Sequence, residues 1–327
     1  MRVLVCGGAG YIGSNMTAML AAEGHEPVVF DNLSKGHRSA IGDTEFVKGD
    51  LADSRLLIKT LEKYGIEAVM HFAAFIEVGE SVQDPLKYYR NNLCCTENLL
   101  SAMETVGVDK FVFSSTAAVY GMPKKVPITE DTHTEPINPY GQTKLAVERM
   151  CHYQSRTGKL AYAALRYFNA CGAGNNATLG EDHRPESHLI PLVIQAAMGK
   201  QEDVKIFGTD YPTPDGTCVR DYIHIEDLCR AHLLALNRLN EHRELLYNLG
   251  NGTGYSVRQV IDTIRQVTGR QFKVTEAPRR QGDSPILTAD STKARDELAW
   301  APRMTDLIKI VESAWIWHRN HPDGYSD

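Results

Sequence analysis

A glycine-rich turn near the start of the chain constrains the fold more than any other stretch. A short apolar run at 3–6 leads directly into Gly7, and glycines recur at Gly10 and Gly13 before a segment with helix-like apolar spacing. A strand, a glycine turn and a helix in this order are typical of a nucleotide-binding βαβ unit, because small residues let the backbone approach a pyrophosphate. The spacing is G-x-x-G-x-x-G and not the common G-x-G-x-x-G, but the mechanics are similar.

An acidic residue follows the turn at the distance that a dinucleotide site requires. The next strand-like run, 27–30, ends at Asp31, about 20 residues past the glycines. A carboxylate at this position can bind a ribose 2′-hydroxyl and would repel a 2′-phosphate, so the sequence favours NAD over NADP as the cofactor. Lys35 and Arg38 lie close by in the sequence and soften this preference.

Strand-like and helix-like segments alternate along the first 170 residues. Further strand-like runs lie at 45–48, 68–71, 109–115 and 160–165, and helix-like patterns lie near 53–63, 85–107 and 140–157. This alternation predicts an α/β protein with a Rossmann-type, doubly wound parallel sheet, in which ligands bind at the carboxyl ends of the strands. After a polar loop at 171–187 the segments become shorter and mixed. We therefore expect an NAD-binding domain at 1–170 and a smaller mixed α/β substrate domain at 171–327, with the chain free to cross back to the first.

A tyrosine and a lysine four residues apart are the main candidates for catalysis. Tyr140 and Lys144 would share one face of a helix that Asn138 caps and Pro139 begins. An ammonium beside a phenol favours the phenolate, so we expect the pKa of Tyr140 to fall from about 10 towards neutral pH. A tyrosine in that state can take a proton from a sugar hydroxyl and give it back. By itself the pair is also common on ordinary helix faces, so the rest of the chain decides between the two interpretations.

Composition argues against several classes of function. The 327 residues carry a formal net charge of −6 and contain no long basic run, which disfavours nucleic acid and anionic membranes as partners. Seven cysteines, with no C-x-x-C pair and no Cys/His metal spacing, predict free thiols in a reducing compartment and no metal site. No apolar run approaches the ~18 residues of a membrane span, and no signal peptide is recognisable, so we expect a cytoplasmic protein.

Several motifs taken together resemble those of the extended short-chain dehydrogenase/reductase family. They are the glycine turn, Asp31, Asp50-Leu51, the run 114–116, Tyr140 with Lys144, and the run 165–169. Five further runs, at 78–82, 88–92, 208–212, 216–224 and 278–283, resemble more narrowly the UDP-glucose 4-epimerases within that family. Any one motif could be accidental, but their joint occurrence in order along nearly the whole chain is very specific.

The resemblance implies NAD as the cofactor, a UDP-sugar as the substrate and inversion at C4 of the sugar as the reaction. Tyr140 would exchange the 4-hydroxyl proton, Ser114 or Thr116 would hydrogen-bond the oxygen, and Lys144 would hold the ribose hydroxyls of the cofactor. The implied cofactor contacts are Gly7, Gly10, Tyr11, Ile12, Gly13, Asp31, Asn32, Asp50, Leu51, Phe72, Ala73, Ala74, Asn91, Ser114, Tyr140, Lys144 and Tyr167. The implied substrate contacts are Thr116, Asn169, His188, Leu189, Phe207, Arg220, Arg280 and Asp283.

Two positions bear on how closely the chain follows its relatives. Ile76 stands where many relatives carry a lysine near the cofactor. Leu287 corresponds to the position that limits the room beside the sugar C2 substituent, and a side chain of this size leaves N-acetylated sugars open as substrates. A UDP-pentose is also left open, because the chemistry at C4 is the same.

Other activities on the same fold are less consistent with the sequence. Related dehydratases and decarboxylases carry an acidic residue just after the Ser/Thr, whereas Ala117 and Ala118 follow Thr116 here. A non-catalytic NAD-binding sensor is a further alternative, since fold does not imply function. The resemblance also implies a homodimer, formed through the helices around 85–107 and 140–157.

Overall fold

The chain folds around a parallel sheet that carries helices on both faces. A computed structural model describes residues 1–280 and 282–327; Gln281, within the motif at 278–283, lies outside the described residues. The described strands are β1 (Arg2–Cys6), β2 (Glu26–Asp31), β3 (Glu45–Lys48), β4 (Ala68–His71), β5 (Lys110–Thr116), β6 (Ala161–Tyr167), β7 (Asn169–Cys171), β8 (Val204–Phe207), β9 (Val219–His224), β10 (Glu244–Leu249), β11 (Gly254–Ser256), β12 (Val274–Ala277) and β13 (Ile286–Leu287). The described α-helices are α1 (Tyr11–Ala22), α2 (Ser54–Tyr64), α3 (Val78–Gln83), α4 (Pro85–Tyr88), α5 (Cys95–Val106), α6 (Pro139–Arg156), α7 (Leu189–Ala197), α8 (Ile225–Arg238), α9 (Val257–Thr268), α10 (Thr292–Leu298) and α11 (Leu307–Asn320).

The main sheet has seven parallel strands in the order β10-β6-β5-β4-β1-β2-β3. The chain builds outward from β1 in one direction through β2 and β3, and then in the other direction from β4. The reversal between β1 and β4 is the topological switch point, where open α/β sheets bind ligands at the carboxyl ends of their strands. The predicted Rossmann-type sheet is therefore present.

The two faces of the sheet are buried against different helices. Along β1, Val3 and Val5 pack into a core with α1 and α8, while Leu4 and Cys6 face the opposite core with α2, α5 and α6. Burial on both faces explains why these strands are continuous apolar runs with no polar alternation. Between α4 and α5 the chain makes a wider helical turn at Tyr89–Cys94, so the predicted helix near 85–107 is helical throughout but not uniform.

A smaller region follows β6 and builds a third core. Strands β8 and β12 form a parallel pair, and β9 lies between β11 and β13 and also pairs with β7. Helices α7, α9 and α11 pack around side chains such as Val193, Ile264 and Val311. Among the residues that the structure describes, no helix combines the length and the apolarity needed to cross a membrane.

Part of the later chain returns to the main sheet. Strand β10 pairs with β6 from Glu244 to Leu249, and α8 packs against α1. The sequence analysis placed six strands in this sheet, and the seventh, β10, was missed. A domain boundary at residue 170 stays a prediction, because the polypeptide crosses back after that point.

Candidate active site

A cleft opens at the carboxyl ends of β2, β3 and β4, close to the switch point. Its lining consists of Phe30, Asp31, Asn32, Gly49, Asp50, Leu51, Ala73 and Asn91. Six of these eight residues are predicted cofactor contacts. Parallel strands bring them together because their carboxyl ends share one edge of the sheet, although the residues lie far apart in the sequence.

Asp31 lies at the end of β2 and is almost completely buried. One carboxylate oxygen accepts the backbone N–H of Ala9 at 3.0 Å and the other accepts that of Leu33 at 2.8 Å. Burial raises the pKa of Asp31, and these two hydrogen bonds oppose the shift. Beside it, the Asn32 amide donates to the Asp50 carboxylate at 2.8 Å, which joins the loops after β2 and β3.

The glycine turn brings the backbone of β1 close to the start of α1. Gly7 has φ +75°, and a Cβ at Gly13 would lie 2.0 Å from the Gly7 carbonyl oxygen, so both positions require glycine. No side chain caps the amino end of α1, which leaves its first N–H groups available to an anion. The cradle therefore fits the diphosphate of a dinucleotide. The Tyr11 hydroxyl, by contrast, donates to the Gly172 carbonyl oxygen at 2.6 Å, away from the turn.

The candidate catalytic side chains meet at the carboxyl end of β5. The Ser114 hydroxyl lies 2.6 Å from the Tyr167 hydroxyl, and the Lys144 ammonium donates to the Ser114 carbonyl oxygen at 2.8 Å. The Thr116 hydroxyl accepts the Ala118 N–H at 3.1 Å. Helix α6 positions the lysine, and as predicted it begins at a proline whose preceding residue, an asparagine, accepts a backbone N–H from the first turn.

The prediction that the pKa of Tyr140 falls towards neutral pH is wrong for the isolated protein chain. Burial raises the pKa of Tyr140 to about 12, with an opposing contribution from the Thr116 side chain. Burial also lowers the pKa of Lys144 to about 7, which Glu148 opposes. The lysine donates to the Ser114 carbonyl oxygen and lies 4.8 Å from the Phe113 ring centroid, and the catalytic roles of the pair stay predictions.

The predicted diphosphate and uridine contacts form a second group in the smaller region. The Arg280 guanidinium lies 3.9 Å from the Phe207 ring centroid, and Arg220 is 3.4 Å from the Asp283 carboxylate. Arg220 also donates to the Ser284 carbonyl oxygen at 2.8 Å. These contacts hold Arg220 in a fixed position, as recognition of a diphosphate requires, while Arg280 is exposed beside the ring.

Three other predicted residues connect the two groups or lie beside them. Asn169, two residues after Tyr167, donates its amide to the Asp221 carbonyl oxygen at 3.0 Å. His188 precedes α7 and is hydrogen-bonded through Nδ1 to Glu181, and Leu189 is the first residue of that helix. None of these contacts tests the assigned roles, which stay predictions.

The sequence analysis missed two buried polar residues that support the site. Asn92 makes two hydrogen bonds of 2.9 Å to the backbone of Phe75 and so fixes the loop after β4. Glu148 accepts hydrogen bonds from Arg166, beside β5 and β6. A helical pattern with a polar residue at a core-facing position was the available signal, since a buried carboxylate or amide needs partners.

Comparison with known proteins identifies the family. The model of the NAD dependent epimerase/dehydratase family matches residues 3–250. The chain belongs to this family. The UDP-glucose 4-epimerase of Halalkalibacterium halodurans is 51% identical over 327 residues, which are 100% of this chain and 98% of that protein.

Solved structures agree with this assignment. A crystal structure of a UDP-glucose 4-epimerase matches with a TM-score of 0.98 and 50% identity, covering 100% of both chains. That of the enzyme from Brucella ovis, in complex with NAD, matches with a TM-score of 0.94 and 48% identity over 96% of this chain and 97% of the other. The predictions of the fold class, of NAD as the cofactor and of an epimerase are confirmed, while the roles of individual residues stay predictions.

Proposed function

We propose that this chain interconverts UDP-galactose and UDP-glucose by transient oxidation at C4 of the sugar and reduction on its opposite face. The observation that carries the proposal is the meeting of Ser114, Tyr167 and Lys144 at the carboxyl end of β5, with Tyr140 and Thr116 next to them. Family membership, and full-length relatives named as UDP-glucose 4-epimerases, support it.

The residues that would hold NAD suit each part of that molecule. The glycine turn and the uncapped start of α1 would bind the diphosphate, Asp31 a ribose 2′-hydroxyl, and the cleft beside Asp50 and Leu51 the adenine. Lys144 would donate hydrogen bonds to the other ribose. When bound, NAD supplies the hydride acceptor for the oxidation and the hydride donor for the reduction.

Tyr140 would move the proton of the sugar 4-hydroxyl. It would take that proton as C4 is oxidised and return it when C4 is reduced, while Ser114 or Thr116 hydrogen-bonds the same oxygen. The Tyr140 pKa of about 12 in the protein chain means that a positive charge nearby must lower it before the phenol can act as a base near neutral pH. The Lys144 ammonium and the oxidised nicotinamide ring each carry such a charge.

Inversion at C4 requires a firm grip on UDP and a loose grip on the sugar. Arg220 and Arg280 would bind the diphosphate, and Asp283 the uridine ribose, while Asn169, His188, Leu189 and Phe207 would hold the remaining UDP portion and the sugar. Arg220 is already fixed by protein contacts, so it loses little freedom on binding the phosphates. The 4-keto sugar would then turn over about the flexible diphosphate.

A UDP-N-acetylhexosamine is the second candidate substrate. Leu287 pairs with Arg220 in the β13–β9 ladder and packs with Phe168 against a small apolar core that includes Ala117 and Tyr120. It therefore lies between the proposed diphosphate contact and the strand end that carries the hydroxyl groups. Its moderate size would leave room beside C2 of the sugar. A UDP-pentose is the third candidate.

Incubation with UDP-galactose and no added NAD, followed by separation of the sugar nucleotides, tests the proposal. We expect UDP-glucose to accumulate to a constant ratio in wild-type protein. Tyr140→Phe should cut turnover severely and leave UDP affinity nearly unchanged, and Tyr64→Phe, at a tyrosine of α2 outside the site and the proposed dimer face, is the matched control. No conversion of UDP-galactose, even with NAD added, would overturn the proposal and favour a pentose substrate or an NAD sensor. Near-normal turnover by Tyr140→Phe would remove the assigned role of this residue.

We also propose that the protein forms a homodimer through the helices around 85–107 and 140–157, which are α4, α5 and α6, with α3 beside them. Val82 in α3 and Leu86 in α4 are 62% and 61% exposed, and Tyr153 in α6 is exposed as well. Exposed apolar side chains on packed neighbouring helices support an interface between copies of the chain. Sedimentation velocity at micromolar concentration should give twice the chain mass of 36.4 kDa, and a single species of that mass would contradict the dimer.

A further inference from the structure

The loop between β7 and α7 brings together four side chains that the reaction does not use in this combination. Glu181, His183, Glu186 and His188 each offer one ligand atom, and these four atoms lie within 4.8 Å of one another. All come from a stretch of eight residues that leads directly into α7. In the part of the chain that the structure describes, this is the one cluster of this kind.

The four ligand atoms are near enough to one another to surround a single metal ion. His183 Nδ1 lies 3.2 Å from Glu181 Oε1 and 3.8 Å from Glu186 Oε1, and His188 Nδ1 lies 4.0 Å from Glu186 Oε1 and contacts Glu181. Zinc bonds of about 2.0–2.1 Å place tetrahedral ligand atoms roughly 3.3 Å apart. The four atoms extend over as much as 4.8 Å, and His188 Nδ1 lies closer to Glu181 than this spacing, so side chains would have to move by about 1 Å to complete the geometry.

The hydrogen bonding within the cluster leaves one atom without a partner. His183 Nδ1 is buried and has no hydrogen-bond partner, although carboxylate oxygens lie near it. Buried polar atoms are rarely left in this state, and an imidazole nitrogen that releases its proton is a good metal ligand.

The two carboxylates are buried and held in place. The side chains of Glu181 and Glu186 are 5% and 3% exposed, so their charges need a close cation. Glu186 Oε1 accepts the backbone N–H groups of Ser187 at 2.7 Å and His188 at 2.8 Å. Such support for a carboxylate is typical of the residues that orient metal ligands.

We propose that Glu181, His183, Glu186 and His188 bind one divalent transition-metal ion, with zinc as the best match. Two imidazoles and two carboxylates suit zinc, whereas magnesium and calcium prefer all-oxygen sites. With four protein ligands the site is closed, so the metal has a structural role, and the His188 side chain would then bind the metal instead of the substrate. The sequence predicted no metal site because only cysteine pairs and Cys/His spacings were considered, and this set contains no cysteine.

The loop that carries the four ligands contacts two other parts of the molecule. Between the first two ligands, Asp182 accepts a hydrogen bond from Tyr325 N at 3.0 Å, and its carbonyl oxygen lies 3.0 Å from His37 Nε2 in the loop after Asp31. A metal ion would therefore fix the segment that joins the cofactor side of the molecule, the C-terminal residues and the start of α7.

Metal analysis of tag-free wild-type protein tests the proposal. The protein is loaded with zinc chloride, passed through a desalting column and analysed by mass spectrometry for metal, and its affinity is measured by competition with a chromophoric chelator. We expect about one zinc per chain. His183→Ala should weaken binding by more than about 100-fold, since loss of an outer-shell partner alone costs 10–100-fold. His133→Ala, at an exposed histidine outside the cluster, should bind as wild type does.

A second measurement covers the case in which His183→Ala does not fold. Cobalt titrated into the wild-type protein should give the visible absorption of a four-coordinate site, with an end point at about one equivalent. Wild-type protein that keeps no zinc and gives no such spectrum would overturn the proposal, and the cluster would then be two protonated histidines paired with carboxylates. Zinc binding that is equal in the wild type and His183→Ala would overturn it as well. Neither measurement depends on sugar-nucleotide conversion, so its failure is distinct from failure of the proposed function.

Discussion

Lys144 destabilises the folded protein, and its replacement by methionine should make this visible. The side chain is 3% exposed, and burial lowers its pKa from the ordinary 10.5 to about 7. At about 1.36 kcal/mol for each pKa unit, this shift corresponds to at most about 5 kcal/mol. Lys144→Met removes that cost but also a charged hydrogen bond to the Ser114 carbonyl, of about 1.5–3 kcal/mol, so we expect a net gain of about 2–3 kcal/mol at pH 7.

The pH dependence gives the sharper test, because its sign follows from proton binding. Between pH 7 and about 10.5 the unfolded chain keeps the Lys144 proton while the folded protein has lost it, so wild-type stability rises with pH. Below pH 7 both states are protonated and the full cost is present. The group therefore contributes a slope of up to about 1.4 kcal/mol for each pH unit in that window, and Lys144→Met should lack this slope.

Urea unfolding of NAD-free protein at a series of pH values, followed by tryptophan fluorescence, measures both effects. Lys59→Met, at an exposed lysine of α2, is the matched control and should leave the stability and its pH profile unchanged. Parallel pH profiles for wild type and Lys144→Met, or a variant less stable than wild type at pH 7, would refute the reasoning. The variant should also lose turnover, which would show that the site keeps this lysine at the expense of stability.

Three further predictions concern the cofactor cradle and the buried ion pair. Gly13→Ala should abolish NAD retention, because its Cβ would lie 2.0 Å from a carbonyl oxygen of the turn. Gly79→Ala is the control and should retain NAD, because no atom lies within 4 Å of the added Cβ; equal retention by both variants would contradict this prediction. Asp31→Asn should reduce the ratio of NADP to NAD dissociation constants by roughly tenfold, about 1.4 kcal/mol, in calorimetric titrations, since the repulsion of a 2′-phosphate is lost; an unchanged ratio would count against that role. Glu148→Gln should lower the free energy of unfolding by about 3–5 kcal/mol, because it leaves the buried Arg166 charge uncompensated. The double variant Glu148→Leu with Arg166→Met should recover most of the lost stability. A Glu148→Gln protein as stable as wild type would contradict this account.

Much of the sheet could be predicted because each of its first strands is a continuous apolar run between turn signals. The runs at 3–6 and 68–71 are buried on both faces, so pattern and position agree. Strand β10 was missed because Leu245 to Leu249 come after strands and helices of the smaller region in the chain, and no local property of those residues specifies which sheet they join. Its pairing with β6 is decided by tertiary packing of α8 and not by propensity.

The sequence predicted the positions of the site residues better than it predicted their pKa values. The strand ends gathered Asp31, Asp50 and Ala73 around one cleft, because topology alone brings them together. The pKa of Tyr140 is raised and not lowered as predicted. A spacing of four residues places Tyr140 and Lys144 on one helix face, but it does not determine where the lysine side chain points or how deeply both side chains are buried. The candidate metal ligands were overlooked for a related reason, since carboxylates in a polar loop are ordinary until a fold buries them.

The late return of β10 to the main sheet sets the order in which the protein can be completed during translation. Until Glu244 to Leu249 have left the ribosome, β6 is an open edge, and until α8 has emerged just before them, the apolar face that it covers is bare as well. A nascent chain that has passed Tyr167 holds six of its seven strands and must keep that edge unpaired while the whole intervening region is synthesised. Shortened products that end before β10 should therefore be aggregation-prone substrates for chaperones rather than free-standing nucleotide-binding units.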